Sequence, residues 1–165
     1  TYARDKDAIV ATMALCEAAA YYKTQGKTLW DAMIEMYDQF GYYKDAIQSV
    51  TMKGIEGLQK IQEIMNSLRQ NPPAEFAGHK VTAVRDYKAD TITDVATGAV
   101  KPTGLPNSNV LYYELTDDAW VCVRPSGTEP KVKFYYGVKG TSLADADEKS
   151  DIMGKAVLDM VDSMK

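Results

Sequence analysis

Residues 124–131, RPSGTEPK, combine side chains that donate hydrogen bonds to anions with residues that shape a turn. Arg124 offers a planar fork of donors that matches two oxygens of one phosphate. Ser126 and Thr128 add hydroxyl donors, and Lys131 adds a positive charge at the end of the segment. The segment holds many donors but no obvious nucleophile or base, so these residue types favour a loop that binds phosphate.

The backbone of the same segment suits a tight turn around an anion. Gly127 has no Cβ, so the main chain can come close to an anion and turn through a positive φ, where successive N–H groups form an anion-binding nest. Pro125 and Pro130 restrict the flanks and lower the entropy cost of ordering the loop. Glu129 opposes phosphate binding unless its carboxylate points away or braces Arg124. The alternative is a hairpin loop that is polar only because it is exposed.

The segments on both sides of this loop predict β-strands. After the loop, Lys131 and Lys133 alternate with Val132, Phe134 and Tyr136, which predicts one solvent side and one core side. The tyrosine pairs 112–113 and 135–136 predict one ring on each side of the sheet. Further strands are predicted over AIQSVTM (46–52), HKVTAVRDY (79–87), NVLYYEL (109–115) and AWVCV (119–123). Residues 89–109 are rich in Gly, Pro and Asn and predict one long loop.

Two amphipathic helices complete this part of the chain. Residues 54–70 predict a helix whose core face comprises Ile55, Leu58, Ile61, Met65 and Leu68. The C-terminal segment predicts another, with a stripe formed by Met153, Ala156, Val157, Met160, Val161 and Met164. The order β-α-β-β-β-β-α predicts an α+β fold, a small and mostly antiparallel sheet with both helices on one face.

The N-terminal segment has a different character. Residues 5–23 predict a helix that ends at Gly26, and Thr28 with Asp31 predicts a capping box for a second helix that ends near residue 40. The first helix is apolar around much of its circumference, so we expect a part of the protein that precedes residue 1 to cover it. GYYKD is the predicted boundary between residues 1–43 and 44–165.

The composition excludes several classes of protein. The net charge of −4 argues against nucleic acid as the main partner, because phosphate backbones need a basic footprint. No run of about 18 apolar residues is present, and the N-terminus lacks a signal-peptide core, which favours the cytoplasm and no membrane partner. Cys16 and Cys122 lie in apolar segments and are predicted to be small core residues in a reducing compartment.

The segment RPSGTEPKVKFYY resembles the C-terminal phosphate-binding loop of the α-D-phosphohexomutases, the phosphoglucomutase/phosphomannomutase family. ARDKDAIVA, KGIEGLQKIQEIMNSLR and LPNSNVLYYEL resemble other segments of that family in the same order, so the likeness covers essentially the whole chain. It implies that residues 1–43 are the last two helices of the family's third, α/β domain. Residues 44–165 would be the fourth domain, which has a fold like that of the TATA-binding protein.

The resemblance also implies a function. Enzymes of this family transfer a phosphoryl group from a phosphoserine in the first domain, beside Mg²⁺ held by the second, and a loop of the third domain contacts the sugar. The fourth domain grips the phosphate that is not reacting, and a hexose 1,6-bisphosphate turns around between the two half-reactions. The resemblance assigns phosphate binding to Arg124, Ser126, Gly127, Thr128 and Lys131, and candidate substrate contacts to Arg4 and Lys6. Charged residues at the start of a helix are the alternative interpretation of the last two.

The chain also departs from the family pattern. It lacks the phosphoserine motif and the D-x-D-x-D metal loop, and ADADE at 144–148 is interpreted as acids favoured at a helix start. We therefore expect the chain alone to have no catalytic activity and to bind no cofactor. Its partners would be the missing N-terminal domains and a glucose or mannose 1- or 6-phosphate. The alternative is a stand-alone phosphate-binding or protein-interaction module, which a reading frame without the upstream domains would favour.

Overall fold

The computed structural model describes residues 5–52 and 54–164, with the side chain of residue 55 left out. It divides the chain into two compact units, Thr1–Gly41 and Tyr42–Lys165, and each is described by itself.

The first unit contains helices α1 (Ala8–Thr24) and α2 (Leu29–Phe40). Asp7 caps α1 by accepting a hydrogen bond from the backbone N–H of Val10, and the predicted capping box of Thr28 and Asp31 is present at α2. Neither helix contains a buried residue, and Ile9 is 76% exposed. Cys16 is exposed as well, so the prediction that it is a core residue is wrong for the described unit.

The second unit is an antiparallel sheet with two helices. Its elements are β1 (Tyr42–Thr51), α3 (Gly54–Gln70), β2 (Glu75–Phe76), β3 (His79–Asp86), β4 (Thr91–Asp94), β5 (Val100–Lys101), β6 (Leu111–Leu115), β7 (Trp120–Pro125), β8 (Lys131–Gly140) and α4 (Leu143–Ser163). The strands follow the order β1-β8-β7-β6-β3-β4-β5, and β2 pairs with the start of β3. The predicted α+β class is confirmed.

The core lies between one face of the sheet and both helices. Along β6, Leu111, Tyr113 and Leu115 are buried, whereas the alternate residues are partly exposed. Helices α3 and α4 pack on that same face. Both helices contribute residues to a single hydrophobic core cluster, namely Ile61, Ile64, Met65, Leu68, Met153, Val157 and Val161. The tyrosine pairs also divide as predicted, since Tyr113 and Tyr136 are buried.

Two predictions about this unit, on residues 89–109 and on Leu58, were wrong in detail. Residues 89–109 are not one loop, because β4 and β5 form a hairpin that extends the sheet beyond β3. Strand β1 begins inside GYYKD, since Tyr42 already pairs with Gly140 of β8, and the division between the two compact units falls in this segment, between Gly41 and Tyr42. Leu58 was placed on the core face of α3, but it is 50% exposed.

The two cysteines are free thiols. Cys122 of β7 is half-buried on the face of the sheet opposite the helices, and this burial raises the pKa of its thiol. No helix among the described residues is long and apolar enough to cross a membrane.

Candidate functional site

The loop singled out in the sequence is shorter in the structure. Arg124 and Pro125 continue β7, and Lys131 already belongs to β8, so only residues 126–130 lie outside the strands. The prediction of eight non-strand residues was therefore wrong. Because the strands extend to both edges of the tip, Arg124 and Lys131 take their directions from the sheet. The described site is a short tip on a rigid hairpin.

Ser126 holds the tip together from the inside. Its backbone N–H donates to the carbonyl of Lys131 at 2.7 Å, which closes the hairpin. Its Oγ accepts long hydrogen bonds from the backbone N–H groups of Thr128 and Glu129, at 3.4 and 3.3 Å. The hydroxyl is therefore mainly an acceptor within the loop, and its one proton remains for an external acceptor.

The end of β1 anchors the other side of the tip. The backbone N–H of Met52 donates to the carbonyl of Pro130 at 2.9 Å, and Thr51 pairs with Lys131. The N–H of Lys131 donates to the carbonyl of Glu129 at 2.7 Å, which makes a tight turn centred on Pro130. Pro130 is thus fixed by its own ring and by a neighbouring strand.

Two cations lie side by side at the base of the tip. Arg124 on β7 is directly paired with Lys133 on β8, so both side chains leave the same face of the sheet. Arg124 is exposed and Lys133 is half-buried. Neither side chain makes a hydrogen bond or an ion pair with any residue that the structure describes. Like charges directly opposite each other destabilise a sheet, so an external anion would relieve this pair.

Glu129 does not brace Arg124, which was one option from the sequence. Its Oε2 lies 3.0 Å from Nζ of Lys131, and the hydrogen bond from that ammonium, followed by its charge, lowers the pKa of the carboxyl. Lys131 is therefore engaged within the loop in this state.

Gly127 and Thr128 form the exposed top of the tip. Gly127 is not among the residues with positive φ, so the predicted reason for a glycine, a left-handed turn, does not hold in this structure. A Cβ on Gly127 would meet no atom within 4 Å, so the space over this backbone is open to solvent. The second predicted reason, close approach of an anion, is compatible with that open space.

The two remaining candidate residues, Arg4 and Lys6, come from the N-terminal segment. Arg4 lies outside the described residues. Lys6 belongs to the first unit, where its side chain is 94% exposed and its Nζ lies 3.3 Å from Asp5. Their role stays a prediction.

The described residues do not fit a magnesium site. Over 5–52 and 54–164, no group of three or more His, Cys, Asp or Glu side chains could hold a metal ion. Within ADADE, Asp145 accepts from the N–H of Thr141 at 2.7 Å at the start of α4, which Ser142 caps, and Asp147 pairs with Lys44 of β1.

Sequence reasoning missed two features of the site. Lys133 was noted only as a charge on the following strand, yet strand register makes it the immediate neighbour of Arg124. Alternation with Val132 predicted Lys133 on the solvent face, but only the register across β7 and β8 pairs it with Arg124. The ion pair between Glu129 and Lys131 depends on the turn at Pro130, which no residue pattern predicts.

An antiparallel α+β domain with cationic side chains at one hairpin tip defines a class of candidate anion-binding domains. Comparison with known proteins narrows this class. Residues 64–155, which include the tip, match the family model described as "Phosphoglucomutase/phosphomannomutase, C-terminal domain". The chain therefore belongs to the phosphoglucomutase/phosphomannomutase C-terminal domain family.

Individual relatives agree with this assignment. The chain is 37% identical over 152 residues to a phosphoglucomutase of Staphylococcus aureus strain bovine RF122 / ET3-1, and 36% identical to that of strain MRSA252. In each case the match covers 92% of this chain and 27% of the relative, so the chain spans about a quarter of the length of these enzymes.

A solved structure shares the fold. The exocytosis-sensitive phosphoprotein pp63/parafusin, a phosphoglucomutase from Paramecium in its open form, superimposes with a TM-score of 0.56 at 16% identity. The match covers 98% of this chain and 27% of that one. At this identity the likeness supports the fold alone.

Proposed function

We propose that this chain is the C-terminal part of a cytoplasmic phosphohexomutase, and that its tip binds the phosphate of the hexose phosphate that is not reacting. The proposed ligands are the side chains of Arg124, Ser126, Thr128 and Lys131 and the backbone at Gly127. Lys133 is added because of its position beside Arg124. Arg4 and Lys6 remain proposed substrate contacts from the N-terminal segment.

The observation that carries this proposal is a pair of cations whose side chains make no hydrogen bond or ion pair with the described residues. Arg124 and Lys133 face each other across two strands, and no described carboxylate neutralises the guanidinium. Their backbone positions are fixed by the β7–β8 ladder, so the two side chains start from adjacent positions on the same face of the sheet. A phosphate dianion placed between them would replace a repulsion with two charge-assisted interactions.

The chemistry of the tip suits holding rather than reacting. Arg124 can contact two oxygens of one phosphate, Ser126 still has a proton to donate, and the ammonium of Lys133 adds charge. No described group at the tip is a nucleophile or a base poised for proton transfer. Holding the distal phosphate fixes the position of the sugar, and positioning supplies much of the catalysis of phosphoryl transfer.

The rest of the reaction would belong to other parts of the parent enzyme. A phosphoserine there would exchange its phosphoryl group with the hexose, and Mg²⁺ with a hexose 1,6-bisphosphate would be the parent's cofactors. Glucose or mannose 1- or 6-phosphate would be the substrate, and the N-terminal domains would be the partners of this chain. The chain alone would then be inactive.

A titration tests the binding role. We expect inorganic phosphate to shift the backbone amide NMR signals of residues 124–133 of this chain, with weak affinity, because one tip lacks the clamps of the other domains. Arg124→Ala should weaken the binding at least about tenfold, since it removes charge-assisted hydrogen bonds. Lys80→Ala is the matched control, because it removes one exposed cation at the start of β3, at the opposite end of the sheet. Equal loss of affinity in both variants would contradict the proposal.

The enzymatic part of the proposal needs the parent protein. Turnover of glucose 1-phosphate or mannose 1-phosphate with Mg²⁺ and a bisphosphate activator would support it and identify the preferred sugar. The isolated chain should give no turnover above a buffer blank, and its Arg124→Ala variant, purified in parallel, controls for contaminating host mutase.

A further inference from the structure

Glu129 is a carboxylate in the middle of a loop proposed to bind an anion. Its side chain is 60% exposed, and its Oε2 lies 3.0 Å from Nζ of Lys131, whose side chain is 27% exposed. An acid at this place repels phosphate by simple electrostatics. Its presence therefore calls for a role that the proposed phosphate grip does not explain.

The backbone sets the geometry of this ion pair. The N–H of Lys131 donates a hydrogen bond of 2.7 Å to the carbonyl of Glu129. The tight turn that this bond closes is centred on Pro130, whose ring restricts φ. The N–H of Met52 holds the carbonyl of Pro130 from β1, and Ser126 Oγ receives the N–H of Glu129. Both ends of the pair are thus held by main-chain hydrogen bonds, which favours a specific pair over a chance surface contact.

The surrounding charges show what the pair does within the loop. Lys131 donates to Glu129, and Lys133 also lowers the pKa of this carboxyl through its charge. The side chain of Arg124 has no such partner among the described residues. The carboxylate of Glu129 therefore pairs with Lys131, one of the cations that a phosphate at the tip would use. The guanidinium of Arg124 stays available for the first contact with phosphate.

We propose that Glu129 is a release residue, a positioning group that competes with bound phosphate for Lys131 and so weakens the phosphate grip. The inference rests on the proposed function. When phosphate binds, Lys131 must leave Glu129 or share its ammonium, and the carboxylate is left near the new negative charge. Phosphate affinity then falls and dissociation becomes faster.

Such a residue suits the reaction proposed for the parent. A bisphosphate intermediate that has to turn around must let go of the tip with one phosphate and engage it with the other. A grip made only of cations would slow that exchange. A competing carboxylate within the tip offers Lys131 an alternative partner at the moment of release, so the cation need not be left without a counter-ion.

The test is a double-mutant cycle in this chain with inorganic phosphate as the probe. The proteins are the unmodified chain, Glu129→Gln, Lys131→Gln and the double variant, and the readout is the phosphate dissociation constant from amide NMR shifts at low ionic strength. Glu75→Gln is the matched control, since it removes one exposed acid from β2, beside the start of β3 and away from the tip. Because Glu129 is exposed, all variants should keep the amide spectrum of the folded unit.

We expect Glu129→Gln to tighten phosphate binding about three- to tenfold, the range for a single nearby charge in water. Glu75→Gln should change it by less than about 1.5-fold. In the Lys131→Gln background, the gain from Glu129→Gln should shrink to less than about twofold, because the competitor then has nothing to compete for.

Three results would overturn the inference. If Glu129→Gln leaves the phosphate dissociation constant unchanged while binding still depends on Arg124, Glu129 is not a release residue. The proposed function is not affected by that result. A gain that persists undiminished without Lys131 shows general repulsion instead of competition. Absence of phosphate-induced shifts at the tip in every variant removes the proposed phosphate role and this inference with it.

Discussion

The link between α3 and the end of β3 offers a sharp stability prediction. Nε of Arg69 lies 3.1 Å from Oδ2 of Asp86, and the two side chains are only 14% and 15% exposed. Arg69 also donates to the carbonyl of Met65 and to Asn109, which precedes β6. The guanidinium therefore ties the last turn of α3 to two neighbouring segments at the end of the sheet that carries the tip.

The magnitude follows from what each substitution leaves behind. Removing one partner of a buried ion pair destabilises a protein by about 3–5 kcal/mol when the other charge is left without compensation. Here Asp86 keeps hydrogen bonds from the backbone N–H groups of Lys88, at 2.9 Å, and Ala89, at 3.4 Å. We therefore expect Arg69→Met to lower the free energy of unfolding by about 2–3 kcal/mol, below the full range.

Urea unfolding of this chain measures the effect. Lys60→Met is the matched control, because Lys60 lies on the same helix and pairs with Glu63 at the surface, where such pairs contribute about 0–1 kcal/mol. The double variant Arg69→Met, Asp86→Asn should be more stable than the sum of the two single losses in unfolding free energy predicts. With both charged groups removed, no unpaired charge remains in the buried site. Arg69→Met as stable as Lys60→Met would refute the reasoning.

Three further perturbations have defined outcomes. Ser142→Ala removes the N-cap of α4, whose Oγ accepts from the N–H of Asp145 at 3.2 Å, and should destabilise the chain by about 1 kcal/mol in urea. Gly154→Ala should be destabilising by about 1–3 kcal/mol despite a better helix propensity, because its Cβ would press on the hydroxyl of buried Tyr136; a gain in melting temperature would contradict this. Ser126→Ala should weaken phosphate binding about tenfold, because it removes a hydroxyl that can donate to phosphate. Its amide NMR shifts should change only at the tip, because the loop loses the Oγ that accepts from Thr128 and Glu129.

The elements with strong periodicity were predictable from the sequence. Helix α3 spans residues 54–70 as predicted, because its apolar spacing and the proline after it both mark its limits. The hairpin of β4 and β5 could not be predicted from the sequence, since its strands are only four and two residues long and lie among turn residues. Pairing to β3, a tertiary effect, stabilises them where local propensity does not.

The candidate site divides in the same way. Residue types alone identified the donors at Arg124, Ser126 and Lys131. They could not show that strand register pairs Arg124 with Lys133, or that a turn at Pro130 engages Lys131 with a carboxylate. Strand pairing makes neighbours of residues that are well separated in the sequence. The electrostatics of the tip could therefore be determined only from the structure.

The central claim is that this tip grips the phosphate that is not reacting, and Arg124→Ala in the parent enzyme tests it most directly. Loss of two charge-assisted hydrogen bonds of about 1.5–3 kcal/mol each should lower kcat/KM on a hexose 1-phosphate by about two to four orders of magnitude. Arg124→Lys should recover only part of that loss, because an ammonium cannot make the planar two-point contact. The fold should be unchanged, since Arg124 is exposed and has no partner among the described residues. A folded Arg124→Ala enzyme with near-normal kcat/KM would contradict the account.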